Sequence, residues 1–403
     1  MKNHSVFRAC RALSCLFSLE GAAPSAPVEL SGGDGAPPSN GTDDRKFMTR
    51  SNFFCFRSLA VCGAVLAASA AAPLIAAEQP VTINAGGGGH IHPSICRTKD
   101  GTLVVVFKSP NNYLVSSRST DQGKTWSAPA PIPASQKRPD VIREAPKWEC
   151  YPGTADVLPD DRILVTWNYI ADDKAKDGRY ERGLLYCLSS DQGKTWTEQK
   201  LIGPIDGKHL GAVRHNVIPW KGGRWLLPLR EGPPRLFNPK TGELTVFKVA
   251  SSDAPTPEGK EHSFQQIVRT PKGTLLAMGM VMLRSTDDGS TWKLVKGFRK
   301  VPDITPAEGR DQAEGRYLTV LKDGRLLVSW GINKGNKGLS YNFSADDGLT
   351  WNNDQTVVLL PELDIQARYY SVRTIQVDDQ HIGSVFLNSG VKYVKARIDR
   401  VAK

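Results

Sequence analysis

Cysteine is scarce where it could organise the chain. Of seven cysteines in 403 residues, Cys10, Cys15, Cys55 and Cys62 lie near the N-terminus, and only Cys96, Cys150 and Cys187 lie beyond it. Three at irregular spacing exclude a disulfide framework and a zinc motif. Each is expected to be a buried free thiol, with one disulfide open in an oxidising compartment. No Lys/Arg run stands out, although the formal net charge is +11. Scattered charge argues against a nucleic-acid partner and for a solvated basic surface with a mild preference for anions. Long helical periodicity is absent. The Gly-rich "NAGGGGHIHP" (84–93) does not sit between a strand and a helix. It is therefore no phosphate loop, and no nucleotide, flavin or other cofactor is expected. His90 and His92 have no third ligand at a recognisable spacing, so no metal is expected either.

Residues 1–47 are rich in Gly, Ser and Pro without periodicity. They read as a disordered extension, with Met48 as an alternative start. Arg50 and Arg57 then precede an apolar, Ala-rich run from Leu59 to Ile75, and Ala76 and Ala77 offer a cleavage site before Glu78. This is the layout of a secretory signal peptide over 48–77. The expected product is secreted or periplasmic, with no stable membrane insertion after cleavage. The alternative is a membrane anchor through 58–77. Residues 78–403 are the expected folded part, a monomer.

That part repeats. A turn followed by a short apolar run occurs as "DGTLVVVF" (100–107), "DDRILVTW" (160–167), "GGRWLLPL" (222–229), "KGTLLAMG" (272–279), "DGRLLVSW" (323–330) and "DDQHIGSVF" (378–386). Starts recur at roughly 50–60 residues, near the period of propeller blades. The runs are strand-like and almost continuously apolar, so both faces should be covered. Shorter strand candidates precede them, such as "SICRT" (94–98), "HNVIPW" (215–220) and "VRTIQV" (372–377). Others follow, such as "YLVSSRS" (113–119) and "LSYNFSA" (339–345). The unit is strand, turn, strand, loop, strand, box, strand. The expected class is all-β, a six-bladed β-propeller of four-stranded antiparallel blades.

The box is "STDQGKTW" (119–126), "SSDQGKTW" (189–196), "STDDGSTW" (285–292) and "SADDGLTW" (344–351). Its Asp can accept backbone N–H groups in a turn, its Gly allows positive φ, and its Trp can plug the gap between sheets. Four dispersed copies with one or two acids each make poor metal sites. The box is expected to be structural.

These motifs are Asp boxes, and the chain resembles the sialidase superfamily over roughly residues 80–400. The resemblance implies a six-bladed propeller with the boxes on the face away from the active site. It implies a Tyr nucleophile assisted by a Glu, an Asp acid/base and an Arg clamp on a sugar carboxylate. Tyr370 in "YYSVRTIQVDDQHIGSVF" (369–386) matches the nucleophile, or Tyr369 in a shifted register, and Arg230 matches a clamp Arg. The family's aromatic-Arg-Ile-Pro is here "HIHP", which puts Ile91 in place of the first clamp Arg. The loop that carries the acid/base Asp is here 108–119, without an acid. Arg214 falls near the position of the Glu.

Counting back from each inner turn gives positions that should converge on one mouth: His92, Tyr151, Arg214, Gln265, Arg316 and Tyr370. Their neighbours are His90, Trp148, Glu149, His215, His262, Glu314, Arg368 and Arg373. Such a cup suits a sugar, with rings under its face and charged groups on its hydroxyls or carboxylate. The expected catalytic groups are Tyr370, Glu149, Glu314 and His92. The expected binding groups are His90, Tyr151, Arg214, His215, Arg230, Arg316, Arg368 and Arg373. The leading expectation is a glycoside hydrolase acting on a terminal acidic sugar of a glycan or polysaccharide. A non-catalytic carbohydrate binder is the second reading, and a polysaccharide lyase the third.

Overall fold

The computed structural model describes residues 74–85, 91–139, 148–174, 180–203, 210–230, 232–253, 264–279, 281–296, 298, 316–331, 338–351, 355–363 and 372–398. The N-terminal extension and most of the leader lie outside them.

Two strands, β1 (Leu74–Ala77) and β2 (Val81–Ala85), precede the first blade. Blade one holds β3 (Ser94–Arg97), β4 (Leu103–Lys108), β5 (Leu114–Ser119) and β6 (Ala130–Pro131). Blade two holds β7 (Trp148–Val157), β8 (Ile163–Lys174), β9 (Tyr180–Ser189) and β10 (Lys200–Ile202). Blade three holds β11 (Ile218–Trp220), β12 (Arg224–Leu227), β13 (Arg235–Phe237) and β14 (Leu244–Val246). Blade four holds β15 (Gln266–Arg269), β16 (Leu275–Met278), β17 (Met282–Ser285) and β18 (Lys293–Leu294). Blade five holds β19 (Arg316–Val320), β20 (Leu326–Gly331), β21 (Leu339–Ser344) and β22 (Val357–Leu359). Blade six holds β23 (Arg373–Gln376), β24 (His381–Leu387) and β25 (Gly390–Ile398). Each sheet is an antiparallel meander in chain order, so the six apolar runs are six second strands.

Blade six differs from the expected unit. Its outer strand comes from the N-terminal side: β2 pairs antiparallel with β25, Val81 opposite Tyr393 and Ala85 opposite Gly390. β1 extends this edge, Leu74 opposite Ile398. Start and end of the propeller thus share one sheet, which closes the ring without a free edge at the seam. β1 lies within the segment read as a leader, whereas β2 follows the expected cleavage point.

The continuous apolar runs are explained by packing on both faces. In β4, Val104 and Val106 pack toward blade two, in a cluster with Cys150, Val165, Trp167 and Cys187. Leu103, Val105 and Phe107 pack toward blade six, with Val385, Val391 and Tyr393. Strand side chains alternate between faces, so each blade supplies half of two interfaces. Comparable clusters fill the other blade contacts. Cys96, Cys150 and Cys187 are free and buried. Burial pushes the Cys150 thiol up to about 12, which suits packing rather than reactivity.

The boxes are structural clips. In the first, Ser119 Oγ donates to Asp121 Oδ1 at 2.7 Å, the Thr125 amide donates to the same oxygen at 3.0 Å, and the Gly123 amide donates to Ser119 Oγ at 2.7 Å. The Thr125 and Thr291 hydroxyls hold the carboxyls of Asp121 and Asp287 down to about 2. Three of the boxes also grip the third strand of the preceding blade. Arg118 of β5 donates to Gln192 O at 2.6 Å, Arg284 of β17 to Asp347 O at 3.2 Å, and Tyr393 of β25 to Gln122 O at 3.2 Å. The boxes therefore lie at the end where inner strands finish, and the inner-strand starts lie at the other.

Candidate functional site at the mouth of the ring

The inner strands β3, β7, β11, β15, β19 and β23 run side by side around the axis. They are not paired as a sheet, so side chains must satisfy the backbone groups between them. The Ala155 amide donates to Ser94 Oγ at 2.8 Å, and the Val217 amide to Asp156 Oδ2 at 2.8 Å. Asn216 Nδ2 donates to Ile267 O at 2.7 Å, and Gln266 exchanges two 2.7 Å bonds with Leu318. Thr319 Oγ1 donates to Thr374 O at 2.6 Å.

Arg373 completes the circuit from β23. Its Nη1 donates to Ser94 Oγ at 2.7 Å, Thr154 Oγ1 at 2.6 Å and His215 O at 2.7 Å, and its Nη2 to Gly153 O at 3.1 Å. One guanidinium thus ties blade six to blades one, two and three. Burial lowers its pKa from the ordinary Arg value. Asp156 lies nearby, enclosed by the inner strands although its surface is only partly covered. Burial raises its carboxyl to about 6, against the opposing pull of Arg373.

Above this plug, three blades contribute a stack. The His92 ring lies 4.9 Å from that of Tyr151, tilted by 45°. Arg214 Cζ sits 3.6 Å from the other partner of the stack, the Tyr151 centroid, a cation–π contact, and Arg214 Nη1 donates to Pro152 O at 2.8 Å. His92 has φ 43° although Pro93 follows it. A residue before proline favours extended backbone, so this conformation is strained. His215 follows Arg214 and packs at 5.8 Å against Tyr317, whose ring lies 5.5 Å from Arg373 Cζ. Burial, then Arg373, hold the His215 imidazole well below its ordinary pKa. Arg316 Cζ lies 5.0 Å from the Phe298 ring, and its Nη2 donates to Gly279 O at 3.3 Å.

The structure brings His92, Tyr151, Arg214, His215, Gln265, Arg316 and Arg373 to the inner-strand starts, with all seven side chains buried. Arg373 differs from the expectation that it holds an anion: its donors are committed to protein oxygens. Glu149 is at the rim, where Lys108 Nζ pairs with it at 2.7 Å. Asn112 pins the adjoining loop, donating to Trp148 O at 2.6 Å and accepting from the Cys150 amide at 3.0 Å. The Arg230 amide donates to Ala212 O at 2.9 Å, beside the segment that carries Arg214. His90, His262, Glu314, Arg368, Tyr369 and Tyr370 lie outside the described residues. The axial residues Thr154, Asp156 and Tyr317 were not among the sequence candidates.

The six meanders and their clips decide the architecture. The fold is that of the sialidase propellers. The family described as BNR/Asp-box repeat matches residues 117–128, the first clip. No curated protein sequence matches the chain. Among solved structures, a protein of unknown function from Dyadobacter fermentans is similar with a TM-score of 0.56 at 20% identity, over 80% of this chain and 99% of that one. The NanB sialidase of Streptococcus pneumoniae gives 0.53 at 12% identity, over 81% and 70%. The intramolecular trans-sialidase of Ruminococcus gnavus gives 0.51 at 15% identity, over 77% and 94%. At such identities the likeness carries the sialidase propeller fold and not an activity.

Proposed function

We propose that this sialidase-type propeller is a secreted glycoside hydrolase that takes a terminal acidic sugar into the mouth opposite its boxes. One observation carries the reading: His92, Tyr151, Arg214, His215 and Arg316, from four blades, converge where the inner strands start. Inert propeller positions would hold Val or Leu there. The group combines aromatic rings with cations, the side-chain types that hold a sugar ring and its acidic substituent. The strain at His92 supports a functional reason for its placement.

Hydrolysis breaks the bond from the anomeric carbon to the leaving oxygen. Water supplies the new bond to carbon, and the leaving oxygen takes a proton. Tyr370 is the proposed nucleophile or positioning phenol. His92, Glu149 and Glu314 are the proposed proton-handling groups. Glu149, held by Lys108, suits a charge partner or base better than a proton donor.

That ion pair, together with Ile91 in place of the first clamp Arg, favours a second reading: a carbohydrate-binding propeller without turnover. Purified protein incubated with sialosides and uronate-bearing oligosaccharides separates the two. Released monosaccharide that disappears in Tyr370→Phe supports hydrolysis. Tight binding with intact glycans supports the binder. Neither binding nor turnover on any of these glycans overturns both.

A further inference from the structure

Arg235 opens β13 of blade three, and its guanidinium has no partner. Nε and Nη1 are buried without a hydrogen bond among the described residues. The residue as a whole is half-buried, and its Nη2 is not closed off. No ion pair or ring contact among the described residues involves it. Withdrawing a cation from water without a partner is costly, so stability does not explain the position.

The strand pairing fixes where it faces. Arg235 lies opposite Leu227, and opposite residues of antiparallel strands share a face. Leu227 packs with Leu184 and Ile202 of blade two, so Arg235 faces the seam between blades two and three. β11 starts at the mouth, β12 returns to it and β13 leaves it, which puts the first residue of β13 at the mouth end. The third strand of a blade lies two strand spacings, about 10 Å, outward from the first. The position is therefore outside the ring of inner-strand starts. Its backbone is held: the Phe247 amide donates to Pro234 O at 2.9 Å, and Arg235 also pairs with Val246.

The facing wall carries a second group of this kind. Asn168 is 2% exposed, and neither Oδ1 nor Nδ2 has a hydrogen bond among the described residues. It lies opposite both Tyr151 and Leu184, so its carboxamide faces the same seam. Buried polar atoms are normally paired. Two unpaired side chains on the two walls of one seam point to a polar group from outside the chain. The local charge says which sign. Arg214, Arg230 and Arg235 stand at the mouth end of blade three, and its described residues from 210 to 242 contain no Asp or Glu. Such a surface draws anions.

We propose that the mouth end of this seam is an outer subsite for a carboxylate or sulfate ester on a sugar beyond the terminal one, with Arg235 donating to it. A guanidinium suits either oxyanion. This rests on the reading that the mouth takes a terminal acidic sugar, and it narrows the substrate class to glycans that are acidic at more than one sugar.

The test measures affinities of the full chain by calorimetry for three pairs of glycans. N-acetylneuraminic acid is set against its linear trimer, and galacturonic acid against its trimer. Sialyllactosamine is set against the same glycan with a sulfate ester on its N-acetylglucosamine. Where the wild type cleaves a glycan, both chains carry Tyr370→Phe. At least one extended or sulfated glycan should bind at least about tenfold tighter than its single-acid counterpart, and Arg235→Met should lose that gain. The first two pairs read a carboxylate and the third a sulfate. Met keeps the apolar stem, so the loss should fall on the extended glycans and spare the single-acid ones. The urea midpoint of Arg235→Met should not fall, because the change removes an unpaired cation. No gain in any pair, a gain that persists in Arg235→Met, or an Arg235→Met chain that is clearly less stable or unfolded overturns the subsite and leaves the terminal-sugar reading standing. No binding of any of these glycans overturns both.

Discussion

Arg373 Nη1 donates at 2.7 Å to the backbone oxygen of His215, which belongs to the opposite blade of the ring. The same guanidinium holds Ser94, Thr154 and Gly153. Arg373→Ala would strand these acceptors and leave Asp156 without its nearby cation. Removing one member of a buried ionic network costs about 3–5 kcal/mol. Arg373→Lys should lose less, since a lone ammonium keeps the charge but not the fork. Urea unfolding at pH 7 checks this; a loss below about 1 kcal/mol for Arg373→Ala would mean the four contacts are incidental.

Asp156 gives this plug a pH dependence. Its folded-state carboxyl is raised to about 6 from an ordinary 3.8, by burial. The folded protein therefore holds this proton more tightly than the unfolded chain does. The resulting stabilisation is fully present below pH ~4 and is lost as pH rises through 6. Asp156→Asn keeps an acceptor for the Val217 amide and removes the titration. The stability difference between variant and wild type should shift toward the variant by up to about 3 kcal/mol from pH 4 to pH 7.5. Parallel unfolding curves at both pH values measure it; an unchanged or opposite difference contradicts the raised carboxyl.

These two residues also show where sequence reading stops. Turn signals and apolar runs made all six blades legible, because each second strand must be apolar on both faces. Counting back from each turn reached His92, Tyr151, Arg214, Gln265 and Arg316, which the structure places at the inner-strand starts. The axis was not legible. The pairing of β7 with β8 shifts register between Pro152 and Ala155, and this bulge breaks the alternation that a strand pattern assumes. Thr154 and Asp156 thereby reach blade three, bonding His215 O and the Val217 amide. Gly153 is required there, since a Cβ would lie 2.3 Å from Thr166 Oγ1. The closing strand was missed for another reason: Val81–Ala85 has no box and no companion run, and its partner is more than 300 residues away in sequence.

The clips make a prediction that separates backbone strain from packing. Gly123 has φ +90°, and a Cβ there would lie 2.0 Å from the Tyr393 ring of blade six. Gly222 has φ +71° with nothing within 4 Å of such a Cβ. Gly222→Ala should cost about 1–2 kcal/mol, the penalty of a left-handed residue. Gly123→Ala adds an overpacking penalty of about 1–3 kcal/mol at a blade interface. Thermal unfolding of the two variants should place Gly123→Ala clearly lower. Equal midpoints would show that the first clip does not press on blade six.

The seam can be tested by length. A chain starting at Glu78 loses β1 but keeps β2, whose Ile83 is buried among Val391, Tyr393 and Ile95. It also keeps the Lys395–Glu78 ion pair at 3.1 Å, and the Glu78 nitrogen, then the terminal ammonium, can still donate to Lys395 O, 2.8 Å away in the full chain. A chain starting after Ala85 loses both closing strands and exposes the whole outer edge of β25. Strand edges of that length invite pairing with other chains. The first truncation should unfold in one cooperative transition near the full-length midpoint, and the second should aggregate or unfold at markedly lower temperature. Differential scanning calorimetry with light scattering distinguishes them. Indistinguishable behaviour would mean that β2 does not close the ring and that blade six holds with three strands.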